Sequence, residues 1–99
     1  MPKTVQLLDS ASSEAKAVAE WYDEREWGVG DRFLSALQQS LDSIAISPES
    51  FEPARRRYRR ATVPEFPYSV YFRELDDEIV VHCVVHNARH PDVWLKRLP

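Results

Sequence analysis

Five arginines fall within six positions, Arg55-Arg56-Arg57-Tyr58-Arg59-Arg60. Guanidinium forks grip phosphates or carboxylates through paired hydrogen bonds, so the stretch predicts an anionic ligand or a carboxylate-rich peptide. On an extended segment alternate side chains point to opposite faces, so the five cannot all meet one ligand. The alternative is a solvated edge strand kept from aggregation by its charge. Repulsion among so many like charges favours a binding role, because a bound anion neutralises them.

His82, His86 and His90 recur every fourth residue. On a helix that spacing would suggest a metal site. On a strand it separates neighbours by roughly 13 Å, too far for one ion with bonds of about 2 Å, and no metal is expected. His82 and His86 are read as sharing one sheet face, with His86 at the strand end the better candidate for function. Cys83 is read as a small hydrophobe on the apolar face of the same strand, since a nucleophile needs an electropositive, partly exposed setting. The acidic residues Glu20, Asp23, Glu24 and Glu26 decorate a helix, and Asp76, Asp77 and Glu78 form a hairpin tip. Neither set resembles an acid–base pair on a rigid wall. With no P-loop, dinucleotide fingerprint, Gly-x-Ser-x-Gly or zinc spacing, no cofactor is expected. Trp21, Trp27 and Trp94 are core or interface candidates, Trp94 most simply as the anchor of the C-terminal tail.

The elements that position these residues follow from hydrophobic spacing. Val5–Leu8 reads as a first strand, with Asp9 and Ser10 as helix N-cap candidates. Ala11, Ala15, Val18, Ala19 and Tyr22 recur at helical spacing, and Gly28 stops that helix. Phe33, Leu34, Leu37, Leu41 and Ile44 form a second stripe that closes before Pro48. The short connection predicts an antiparallel αα-hairpin. Pro48–Pro53 reads as a linker, Arg57–Val63 and Tyr68–Glu74 as strands, and Asp76-Asp77 as a turn. In the last strand, Ile79–His86, residues Ile79, Val81, Cys83 and Val85 share one face and Val80, His82, Val84 and His86 the other. The expected fold is α+β: an N-terminal strand, a helical hairpin, then a three-stranded antiparallel sheet with the helices on one face.

At 99 residues the chain is expected to be one domain, 1–99. No apolar run reaches the roughly 20 residues that span a bilayer, and no signal-peptide core follows Met1. One cysteine cannot make an internal disulfide, so a cytoplasmic location without membrane partners is expected. The net charge of −3 hides an asymmetry: residues 1–54 carry 4 basic and 10 acidic side chains, residues 55–99 carry 9 basic and 6 acidic. This points to a charged partner for one half, while the acidic total argues against direct sequence-specific DNA binding.

Several fragments in order carry a family likeness: Ala19-Glu20-Trp21-Tyr22, Gly28-Val29-Gly30-Asp31-Arg32-Phe33, Ser47-Pro48-Glu49-Ser50-Phe51, Tyr58-Arg59-Arg60, Phe66-Pro67-Tyr68-Ser69-Val70-Tyr71, and the run from Val85 to Trp94. Together they resemble the RelE/ParE superfamily of bacterial type II toxins, from about Val5 to Arg97. The resemblance implies a toxin made with a cognate antitoxin whose C-terminal segment wraps it. It also implies one of two mechanisms. RelE-type members cleave mRNA in the ribosomal A site, and Arg60, His86 and Arg89 are the residues here that would supply charge and a base. ParE-type members inhibit DNA gyrase and are not themselves enzymes. Ser69 stands where many RelE-like ribonucleases carry Arg, and Trp94 where a catalytic Tyr is expected. A net-negative chain would also approach ribosomal RNA against long-range repulsion. These departures favour the ParE-like, non-enzymatic reading over the ribonuclease, with a non-toxic interaction module of the same fold as a third. Antitoxin or target binding is expected at Arg57, Arg59, Arg60, Arg89, Trp94 and Arg97.

Overall fold

The computed structural model describes residues 2–89 and 96. Trp94, Arg97 and His90 lie outside the described residues. The chain runs β1 (Thr4–Leu7), α1 (Asp9–Arg25), α2 (Val29–Ile46), a 3₁₀ turn (Pro48–Ser50), β2 (Glu52–Pro53), β3 (Tyr58–Thr62), β4 (Tyr68–Glu74) and β5 (Glu78–His86). The strands form one sheet in the order β1-β5-β4-β3-β2. The α+β class and the helical hairpin are as expected. The sheet is larger than expected, because β1 joins it parallel to β5 with Thr4 opposite Glu78. At the other edge, two residues of the expected linker pair with β3, Glu52 opposite Arg60 and Pro53 opposite Arg59.

Both helices cover one sheet face. Ala11, Ala15 and Ala19 of α1 are buried, and their small side chains bring that helix close to its neighbours. From α2 come Phe33, Ala36, Leu37, Leu41 and Ile44, packed with Val70 and Phe72 of β4 and Ile79 and Val81 of β5. Leu34, expected in this stripe, is 41% exposed, and Ala36 and Ser40 take the inward positions. Trp21 and Trp27 lie on the surface of the hairpin rather than in the core, Trp27 at 93% exposure. The α1–α2 connection turns on Gly28, whose φ of 90° is in the left-handed region that glycine tolerates. Asp9 is the first residue of α1 and Leu8 its N-cap, with no side-chain cap bond, so the expected Asp9/Ser10 cap does not form. Among the described residues, no helix is long and apolar enough to cross a membrane.

The last strand departs from strict alternation. Tyr71 of β4 pairs with Cys83, but its neighbour Phe72 pairs with Val81, which leaves His82 as an extra residue on β5. A bulge of this kind reverses the facing of everything beyond it. Ile79, Val81 and Val84 therefore look toward the helices, whereas Cys83 and Val85 join Tyr58 and Tyr71 on the opposite face. This corrects the expectation that Cys83 and Val85 share a face with Ile79. Cys83 is buried all the same. The bulge also separates the two histidines. His82 meets Tyr58 edge-on on the helix-free face, while His86 meets Tyr68, which packs in turn against Tyr22 and Phe33 of the helices.

Candidate functional site

The arginine cluster does not form one strand. Arg55, Arg56 and Arg57 make the exposed turn between β2 and β3, closed where the Ala54 amide donates to the Tyr58 carbonyl at 2.8 Å and the Tyr58 amide to the Arg55 carbonyl at 3.1 Å. Arg56 takes a φ of 59° there, which lets the chain reverse in so few residues. From Tyr58 onward the strand alternates. Tyr58 and Arg60 look to the helix-free face, and Arg59 and Ala61 to the helix side. Arg59 donates from Nη1 to the Phe51 carbonyl at 2.8 Å. The five guanidiniums thus go to a turn and to two opposite faces, and no single ligand meets them all.

Arg60 is at the centre of a polar chain. Its Nη1 meets Glu52 Oε1 at 2.9 Å, in an ion pair between directly opposed residues of β2 and β3. Its Nε donates to Ser69 Oγ at 3.2 Å, and the Ser69 hydroxyl donates in turn to Asn87 Oδ1 at 2.6 Å. Ser69 is 1% exposed, so both roles of its hydroxyl are filled inside the protein. Asn87 is fixed from its backbone as well, its amide donating to the Pro67 carbonyl at 2.9 Å.

Around this chain opens a cleft of about 430 Å³, with Glu52, Arg60, Tyr71, His86, Asn87 and Arg89 among its walls. The burial of Tyr71 pushes its phenol above the ordinary value, and the positive charge of Arg60 only partly opposes this. The Nδ1 of His86 accepts the Ala88 amide at 2.9 Å, so in the neutral ring the proton sits on Nε2.

Three expected residues, Arg60, His86 and Arg89, therefore line one cleft, together with Arg55 of the turn. Arg57 and Arg59 are not among its walls, and Trp94 and Arg97 lie outside the described residues. Sequence reasoning missed Glu52, Tyr71 and Asn87. Tyr71 was within reach of it, because Ser69 and Tyr71 alternate in step along β4. Glu52 and Asn87 lie at strand ends far apart in the chain, and only the pairing of β2 with β3 and of β4 with β5 brings them to Arg60.

A family model described as the ParE toxin of type II toxin-antitoxin system, parDE, matches residues 5–91. A solved structure titled chromosomal ParDE TA system from P. aeruginosa is similar in fold, with a TM-score of 0.64 at 17% identity, covering 85% of this chain and 95% of that one. A search of curated proteins returns no match. With the family match running from β1 through the end of the described sheet, the chain belongs to the ParE toxin family of type II toxin–antitoxin systems.

Proposed function

We propose that this chain is a growth-arresting toxin that acts through DNA gyrase, performs no chemistry of its own, and is neutralised by a cognate antitoxin. The observation that carries the proposal is the ParE toxin match over residues 5–91. The cleft supports it against RNA cleavage through the settings of His86 and Tyr71. A general base at His86 would need a lone pair on Nε2, which carries the proton while Nδ1 accepts from Ala88. The raised Tyr71 phenol stays protonated at neutral pH and cannot serve as a base there.

The test is to add the purified chain to gyrase and supercoiled plasmid, and separately to translating ribosomes. Gyrase trapped on cut DNA with messages intact is the expected result. Cleaved messages with gyrase unaffected would replace the proposal with the ribonuclease. For neutralisation, a small protein encoded beside this gene should restore growth when the two are made together. Arrest that persists despite its presence would exclude it as the antitoxin.

A further inference from the structure

Arg60 and Glu52 hold their positions very unequally. Arg60 sits in the middle strand of β2-β3-β4, its side chain 31% exposed, and is braced from below by the buried Ser69 hydroxyl, itself tied to Asn87. Glu52 stands on a two-residue edge strand with its side chain 63% exposed. An exposed ion pair of this kind contributes little to stability, so its anion is readily exchanged. The cation, which also donates to the buried Ser69 hydroxyl, keeps its place when the anion leaves. The cleft that opens beside the pair is within the size range of ligand sites and has Arg55 and Arg89 on its walls.

We infer that the cleft is a receptor for a carboxylate side chain of an acidic peptide, and that Glu52 is a built-in stand-in for that carboxylate, displaced when the peptide binds Arg60. The inference deepens the antitoxin part of the proposed function and rests on it only for the peptide's identity as antitoxin. A carboxylate is favoured over a phosphate because a carboxylate, that of Glu52, already meets Arg60 Nη1 at 2.9 Å. The recognising residue is Arg60, with Arg89 and Arg55 as flanking charge. Arg59, bound to the Phe51 carbonyl, takes no part.

The full-length chain can be titrated at low salt with a capped hexaglutamate peptide, following the Arg60 Nε–H signal by NMR, with single-stranded hexauridylate as the phosphate probe. Neither gyrase nor growth enters this titration, so its failure is separate from failure of the toxin proposal. Glu52→Gln removes the stand-in, and it should tighten hexaglutamate binding by about 2- to 5-fold, the range set by the small worth of an exposed pair. Arg60→Gln should abolish the binding, and Arg32→Gln on the outer surface of α2 should leave it unchanged. Binding no tighter in Glu52→Gln than in the parent would overturn the inference and leave the pair as a simple staple between β2 and β3. Shifts confined to the Arg55–Arg57 turn, or hexauridylate binding tighter than hexaglutamate in Glu52→Gln, would overturn it as well. If Arg60→Gln fails to fold, the comparison of Glu52→Gln with the parent decides alone.

Discussion

The Ser69 hydroxyl donates to Asn87 Oδ1 at 2.6 Å, across the end of β4 from the residue that follows β5. This bond has two consequences. It ties down the segment after β5, and it aims the Ser69 lone pairs at Arg60 Nε. Ser69→Ala should cost about 1–2 kcal/mol, since a buried partner is lost while the exposed Asn87 and part-exposed Arg60 can turn to water. Because Ser69 and Asn87 act as a unit, their effects should not add. A double-mutant cycle with Asn87→Ala, read by urea denaturation, should return a coupling of about 0.5–1 kcal/mol. Strict additivity would mean the bond contributes nothing to stability.

Gly30 is the second residue of α2, and within helices alanine is ordinarily more stable than glycine by up to about 1 kcal/mol. Here the sign should reverse. The Gly30 amide donates to Asp23 Oδ1 at 2.8 Å, and a methyl group on Gly30 would collide with the Ala19 carbonyl oxygen and come within 2.6 Å of Asp23 Oδ2. Relief requires α1 and α2 to separate, which overpacking data put at about 1–3 kcal/mol. Gly30→Ala should therefore lower the thermal midpoint. A rise would show that the helices part without cost.

Most of the helical layer was legible because its signal is local. The spacing of Ala11, Ala15 and Ala19, and of Phe33, Leu37, Leu41 and Ile44, specifies two buried faces whatever the rest of the chain does. The sheet was legible only in part. From Ile79 to Val85 every residue but His82 is apolar, so period-2 alternation fits either facing on both sides of it, and a lone histidine does not mark itself as the inserted residue. The cleft was legible as arginines but not as a network. Five arginines in six positions give no sign that the chain reverses at Arg55–Arg57, and the network of Arg60 draws on β2, β4 and the residue after β5.

His82 should make stability depend on pH. It is buried against Tyr58, and burial, followed by the charge of Arg73, lowers its imidazole pKa from the ordinary value of about 6.5. The unfolded chain then binds a proton before the folded one does. Stability from this residue is fully present above the unfolded value and is lost as pH falls through the lowered folded value. His82→Phe keeps an aromatic edge against Tyr58 and removes a buried Nε2 that has no hydrogen-bond partner among the described residues. Urea midpoints from pH 8 down to 5 should fall less steeply in the variant than in the parent. Parallel curves would mean His82 titrates in the folded protein as it does in the unfolded chain.

The proposal that the cleft performs no proton chemistry is tested most directly by removing its proton carriers one at a time. Tyr71 and His86, with the ion-paired Glu52, are the cleft-wall residues that could serve as acid or base, and Tyr71→Phe and His86→Gln remove two of the three while leaving Arg60 in place. General acid–base groups contribute about 10²–10⁴-fold to rates, so a ribonuclease that uses either group would lose nearly all its activity with that change. A toxin that works by binding gyrase should arrest growth almost as fast with either variant as without. The check is the growth rate after induction in cells lacking antitoxin, with soluble protein levels matched and folding confirmed by circular dichroism. Arrest abolished by Tyr71→Phe in a protein that still folds would return Arg60, His86 and Arg89 to the role of a catalytic set. Arrest retained by both variants, but lost when gyrase carries a toxin-resistant substitution, would leave binding as the whole of the mechanism.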